Sequence, residues 1–267
     1  MEAIWTRTKT DPRGIWPRRS FTTPEALALK GSQRVTVVIP ARNEVATVAG
    51  VVGTIGAAHL AGKGSGLVDQ VLVIDDGSAD GTSEAAIAAG ADVHRLEHSV
   101  GKGLAMAEGA LIAAGDLIVF LDADVVDTEA AWIPMLLGPL LIDPATELVK
   151  GFYERPIAGQ PTGGGRVTEL SARPILSLLF PDLAHVLQPL AGETAARRTT
   201  LLEVGIEPGY GVEIGLLIDI ARRNGPASIA QVDLGRRTHR NRPLSELRPM
   251  SREVLRVALT RAGVPTA

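Results

Sequence analysis

Two carboxylates one residue apart, Asp122 and Asp124, close an otherwise apolar run, VFLDADVV at 119–126. A turn or a helix cap needs only one such side chain. A pair spaced i, i+2 at the mouth of a buried strand suits oxygen-only ligation of a hard divalent ion, Mg²⁺ or Mn²⁺, that also holds phosphate. The bound cation would offset the cost of crowding two acids. Two other apolar runs end in polar residues: RVTVVI at 35–40 leads into Pro40, Ala41, Arg42, Asn43 and Glu44, and QVLVI at 70–74 leads into Asp75, Asp76, Gly77 and Ser78. Asp80 and Asp127, isolated after their strands, read as turn formers or caps.

The elements that must carry these residues follow from the same pattern. The short β-branched runs at 35–40, 70–74 and 117–121 have the composition of parallel strands covered on both faces. Ala-rich periodic stretches at 44–58, 82–89 and 103–114 predict helices between and after them, the second begun by Asp80 or Thr82. Strand and helix in alternation give a doubly wound, mostly parallel α/β sheet with helices on both faces, in which ligands sit outside the carboxyl ends of the strands. An arm at 1–31 precedes this, with a short helix begun at Thr23, Pro24 and Glu25, where proline at the first turn is favoured. Residues 32–145 form the first subdomain. Residues 146–267 form a second lobe and a tail of the same domain, with weaker alternation, a Gly-rich loop at 162–166 and one clear helix at 212–223.

Composition narrows the function. Hydrophobic residues at 45% and charged residues at 21% fit a globular chain, and aromatics at 3% leave the core to Val, Leu, Ile and Ala. The absence of cysteine excludes disulfides, thiolate metal sites and cysteine nucleophiles, and suits a cytoplasmic protein. No apolar run approaches the roughly 20 residues of a membrane span, and the polar N-terminus lacks the apolar stretch of a signal peptide. Residues 234–267 hold eight arginines against Glu246 and Glu253, a local surplus of six positive charges inside a chain of net charge −3. Arg248 to Arg261 recur at near-helical spacing and read as a solvated helix face, whereas the tight cluster from Arg236 to Arg242 calls for an anion. Nucleic acid fits poorly: the rest of the chain is strongly acidic and offers few aromatics for base stacking. There is no G-x-x-x-x-G-K-[ST] loop, no G-x-G-x-x-G after a strand, no H-E-x-x-H and no G-x-S-x-G.

The blocks VVIPARNE, VIDDGSADGT, GKGLAM and FLDADVV resemble the nucleotide-sugar half of GT-A glycosyltransferases, whose Asp-x-Asp binds the metal and diphosphate of the donor. Six further blocks in order, LVKGFYERP, GGGRVTEL with ARP, LQPLAGE, PGYGVEIGLLID, IAQVDLG and HRNRPL, resemble the glucosyl-3-phosphoglycerate synthase family, from about residue 17 to the end. The resemblance implies a GT-A fold and transfer of a hexose, with retention, from a nucleoside diphosphate sugar, expected to be UDP-glucose, to the 2-hydroxyl of 3-phosphoglycerate. It implies that Pro40, Ala41, Glu44 and Asp76 line the uridine, that Lys102 approaches the diphosphate, and that Asp122 and Ala123 lie by the ribose or donor sugar. Leu190, Tyr210 and Glu213 would contact the hexose, with Glu213 and Asp122 as the catalytic candidates. Asp124 and His239 would hold Mg²⁺ or Mn²⁺. Gly165, Arg166 and Thr168, with Asn241 and Arg242, would form the acceptor's anion pocket. A homodimer is also implied.

Outside the resemblance, His239 would read as a surface histidine, Arg166 as a surface ion pair, and Glu213 as a carboxylate favoured by a helix N-terminus. Asp76 stands where the resemblance implies serine, and the segment 96–100 is shorter than it implies. Three other readings stay open at this level: a mannosyl-3-phosphoglycerate synthase using a GDP-sugar, a transferase to a polyprenyl phosphate, and a nucleotide-sugar-binding protein without turnover.

Overall fold

The computed structural model describes residues 13–154, 156–157, 160–163, 165–237 and 244–266. The apolar runs form strands β2 (Val35–Ala41), β3 (Gln70–Asp75) and β5 (Leu117–Phe120), and nearly every residue in them is buried. With β1 (Ile15–Trp16), β4 (Asp92–Arg95), β6 (Leu148–Glu154), β9 (Thr194–Arg197) and β10 (Ile229–Arg236) they make one eight-stranded sheet in the order β1-β10-β6-β9-β5-β2-β3-β4. All neighbours are parallel except β9, which runs antiparallel between β5 and β6. A separate two-stranded ribbon pairs β7 (Pro156–Ile157) with β8 (Gln160–Gly163).

Helices cover both faces. One core cluster joins the sheet to α1 (Thr23–Lys30), α2 (Val48–His59), α3 (Thr82–Ala89) and α5 (Trp132–Ile142). The other joins it to α4 (Lys102–Ile112), α6 (Arg173–Leu179), α7 (Arg198–Val204), α8 (Val212–Asn224) and α9 (Leu244–Arg261). This is the mostly parallel α/β architecture expected from the sequence. The arm read at 1–31 contributes an edge strand, with Ile15 and Trp16 beside Gln231 and Val232, and α1, whose cap Thr22 and Glu25 hydrogen-bond each other reciprocally.

Several elements differ from the sequence reading. Helix α2 starts at Val48 rather than near residue 44, because Asn43 takes a left-handed backbone with φ 55° and the Glu44 amide donates to Thr82 Oγ1 at 2.9 Å. Gly81 is the cap of α3, while Asp80 Oδ1 accepts from the Thr82 amide at 3.1 Å. Helix α5, left unassigned by periodicity, is buried along its length from Trp132 to Leu140, and a helix apolar on all sides has no amphipathic period to detect. In the second lobe, β6, β9, β10, α6 and α7 accompany the one helix that the sequence announced. No helix among the described residues is long and apolar enough to cross a membrane.

Candidate active site

Strands β2, β3, β5, β6 and β10 bring their carboxyl ends to one edge, and the antiparallel β9 begins there. A cleft of about 570 Å³ opens at this edge, and its walls come from both halves of the chain. On one side stand Pro40, Ala41 and Glu44 after β2, Asp76 after β3, Lys102 at the start of α4, and Asp122, Ala123 and Asp124 after β5. On the other stand Gly165, Arg166 and Thr168, then Leu190, Tyr210 and Glu213. His239, Asn241 and Arg242 lie outside the described residues. The other residues that the resemblance assigned to donor, acceptor or metal all line this one cleft.

The floor is a network of alternating charges. Lys102 Nζ lies 2.8 Å from Asp122 Oδ1 and 2.7 Å from Glu213 Oε1. Burial disfavours its ammonium, but the two carboxylates overcome this and hold its pKa well above the usual lysine range. The second oxygen of Asp122 accepts from Arg237 Nη1 at 3.2 Å. Burial alone would raise the pKa of Asp122, yet Lys102 and Arg237 hold it well below the usual carboxylate range. Arg237, enclosed to 2% exposure, reaches further: Nη2 donates to Asp124 Oδ1 at 3.1 Å, and Nη1 meets Glu193 Oε1 at 2.7 Å and the Tyr153 hydroxyl at 2.8 Å. The Tyr153 hydroxyl donates to Glu193 Oε2 at 2.8 Å. Removing one member of such a network leaves a buried charge uncompensated, at a cost of about 3–5 kcal/mol.

The donor set suits a hard divalent cation. Among the described residues no group of three or more His, Cys, Asp or Glu side chains is arranged around a metal position. Asp124, however, has one oxygen on Arg237 and no other hydrogen bond or ion pair among the described residues, and its side chain is 30% exposed to the cleft. In the network at the floor, the carboxylates of Asp122, Asp124, Glu193 and Glu213 exceed the cations Lys102, Lys150 and Arg237 by one charge, and a divalent ion there would offset that surplus where a diphosphate approaches.

Asp76 lines the cleft, and its carboxylate hydrogen-bonds the chain's own loop. Its Oδ1 accepts from the Val100 amide at 2.6 Å, and its Oδ2 accepts from Ser99 Oγ at 2.8 Å and the Gly101 amide at 3.1 Å. The carboxylate therefore holds the residues that lead into Lys102, at the residue where Gly101 takes φ 90°. At Gly192 the lack of a side chain bears on the floor, since a Cβ there would strike the Asp122 carboxylate.

The opposite wall is braced by α9. Glu253 Oε2 accepts from the Tyr210 amide at 2.6 Å, and Leu247 and Met250 line the cleft. Arg261 pairs with Asp219 and Glu207, and Arg256 pairs with Glu207 at 3.0 Å. Arg261, its side chain 16% exposed, departs from the solvated face expected for Arg248–Arg261, whereas Arg256 stays exposed; both tie α9 to the turn before α8, and Arg261 also to α8 itself. Thr168 is buried in a short π-helical turn at Thr168–Ala172, which Ser171 links to Ser251 of α9 by a 2.7 Å hydrogen bond.

Residues 36–178 match the family model described as glycosyl transferase family 2. A glucosyl-3-phosphoglycerate synthase from Mycolicibacterium smegmatis is 48% identical over 260 residues, spanning 93% of this chain and 84% of that protein. The chain belongs to the glucosyl-3-phosphoglycerate synthase family. The Mycobacterium tuberculosis synthase is 46% identical, over 94% of this chain and 80% of its own. A crystal structure of that synthase in complex with Mn²⁺, uridine-diphosphate-glucose and phosphoglyceric acid superposes with a TM-score of 0.87 at 45% identity, covering 96% of this chain and 89% of that one. The fold is accordingly the GT-A type that the sequence blocks implied.

Arg237, Glu193, Tyr153 and Lys150 belong to the buried network beneath the cleft, and none was singled out from the sequence as a site residue. Arg237 carried a signal, since it belongs to the tight basic cluster that called for an anion, but its partners proved to be the chain's own carboxylates. Lys150 and Glu193 sit inside apolar stretches, LVKGF and PLAGE, where a lone charge must find a buried partner.

Proposed function

We propose that this chain transfers glucose from UDP-glucose to the 2-hydroxyl of 3-phosphoglycerate with retention at the anomeric carbon, using Mg²⁺ or Mn²⁺. The observation that carries the reading is that one cleft brings together a carboxylate-and-lysine floor suited to a metal and diphosphate and, across from it, the Arg166 and Thr168 wall suited to an anionic acceptor. Membership of the family supports it, as does the binding of UDP-glucose and phosphoglyceric acid by the solved relative.

In this mechanism Pro40, Ala41 and Glu44 hold the uridine, and Asp76 shapes that end of the site through residues 99–101. Lys102 faces the diphosphate, where its charge balances the negative charge that grows on the leaving group. Asp122 and Ala123 border the ribose and donor sugar, while Leu190, Tyr210 and Glu213 orient the hexose. Asp124 and His239 would hold the metal ion, which would supply Lewis-acid stabilisation of the departing diphosphate. Gly165, Arg166 and Thr168, joined by Asn241 and Arg242, receive the phosphate and carboxylate of the acceptor. The bond from the anomeric carbon to the β-phosphate oxygen breaks, its electron pair leaving on UDP. The acceptor's 2-hydroxyl oxygen bonds to that carbon and passes its proton to the departing phosphate oxygen. No protein nucleophile is required, and Glu213, paired with Lys102 and set in the first turn of α8, serves in orientation and charge stabilisation rather than attack.

A cytoplasmic homodimer is the form we expect, with light scattering on the purified chain as its check. The reaction is tested by incubating the protein and 3-phosphoglycerate with UDP-glucose, GDP-glucose or GDP-mannose and a divalent metal, reading product by mass. Glucosyl-3-phosphoglycerate formed chiefly from UDP-glucose is the expected result. Preference for GDP-mannose would move the chain to mannosyl transfer, and absence of product with all three would refute the acceptor.

A further inference from the structure

Lys150 is a buried charge that the mechanism above does not use. It lies in β6 directly across from Thr194 of β9 in the sheet register, and it is 2% exposed. Its Nζ donates to the Ala191 carbonyl at 2.6 Å and to Thr194 Oγ1 at 3.1 Å. It does not line the cleft. Burying an ammonium is costly, and an apolar side chain of similar volume would fill the same space without that cost. The charge is explained by what it holds.

Ala191 belongs to a tight turn, closed by its own amide donating to the Gln188 carbonyl at 3.1 Å. Three site features hang on this turn. Leu190 faces the cleft on the side read as the hexose site. Gly192 lies against Asp122 so closely that a Cβ would displace the carboxylate. Glu193 holds Arg237, which in turn meets Asp122 and Asp124. Lys150 ties the turn to the rigid centre of the sheet by its carbonyl, and a turn that slips along this tether moves the sugar wall and Asp122 together. Burial lowers the ammonium's pKa to about 8, against the pull of Glu213 and Glu193, so it still donates as a cation near neutral pH.

We propose that Lys150 is a positioning residue for the donor sugar, fixing the Gln188–Glu193 turn and through it Leu190 and Asp122, without itself touching substrate. The proposal rests on the reading of this side of the cleft as the hexose site. It predicts a division between two ligands that share a nucleotide: UDP reaches the wall formed by Pro40, Ala41 and Glu44, whereas UDP-glucose also needs the turn.

The test is calorimetric binding of UDP and of UDP-glucose, with Mn²⁺, alongside kcat and both KM values, for the wild type, Lys150→Met, Lys150→Arg and Thr194→Val. In Lys150→Met we expect UDP affinity within about two-fold of wild type, loss of the extra affinity given by glucose, and kcat lower by about ten- to a hundred-fold. Lys150→Arg, which keeps the charge and donors, should recover part of kcat. Equal losses of UDP and UDP-glucose affinity, or wild-type turnover in Lys150→Met, would overturn the proposal. Should Lys150→Met fail to fold, Thr194→Val carries the test: reduced kcat at unchanged UDP affinity supports it, and wild-type kinetics refute it. A wild type that binds no UDP-glucose would refute the reading of the cleft instead, a result distinct from any of these.

Discussion

The two walls of the cleft are built in different ways. The nucleotide side is a set of loops at the ends of successive parallel strands, each residue placed by the strand before it: Glu44 after β2, Asp76 after β3, Asp124 after β5. The opposite side is assembled from an antiparallel strand's entry turn, a π-helical turn, the 3₁₀ turn at Gly209–Gly211 and a C-terminal helix, braced by ion pairs such as those from Arg261 to Asp219 and Glu207. Backbone topology fixes the first wall, and side-chain contacts fix the second. Substitutions on the first wall should therefore act locally on binding or chemistry, whereas substitutions in the bracing ion pairs of the second should spread along the network that holds it.

The largest loss is expected at the meeting point of the two. Asp124→Asn keeps the volume and the hydrogen bond from Arg237 but removes the anionic oxygen, and kcat/KM measured across a Mn²⁺ titration should fall by about a hundred-fold or more. Activity surviving with the same metal dependence would mean that Asp124 does not hold the metal. Lys102→Met comes next. It removes the cation shared by Asp122 and Glu213, so turnover should drop by about two orders of magnitude. Stability in a denaturant titration should fall by roughly 3 kcal/mol, the low end for a broken buried pair because Arg237 still balances Asp122. Unchanged stability with lost turnover would confine Lys102 to the chemistry and loosen its tie to the floor.

The smallest of the set is Asp76→Ala. It strands the amides of Val100 and Gly101, and the donor KM should rise several-fold for UDP- and GDP-sugars alike, since the carboxylate acts on the loop. A rise confined to uridine donors would assign Asp76 to base recognition after all.

The same contrast explains what was legible in the sequence. Strands β2, β3 and β5 could be read within a residue or so because β-branched runs ended by polar residues have few other solutions. Their site residues could be read with them. Helix α5 was hidden by its own apolarity, and β9 by being four residues of Thr, Ala, Ala and Arg whose burial comes wholly from the neighbours on either side. On the second wall, Leu190, Tyr210 and Glu213 were reachable only through the family's blocks. The links among Arg237, Glu193, Tyr153 and Lys150 were not reachable at all, because partners 40 or more residues apart in the chain leave no local spacing to detect.

The central claim, that one cleft receives both substrates of one reaction and takes the acceptor's anions at Arg166, is tested most directly by a two-substrate kinetic matrix for Arg166→Ala against the wild type, varying UDP-glucose and 3-phosphoglycerate together. A KM for 3-phosphoglycerate raised about ten-fold or more with the UDP-glucose KM nearly unchanged is the predicted result. A loss that falls on UDP-glucose, or on neither substrate, would contradict the assignment of Arg166 to the acceptor.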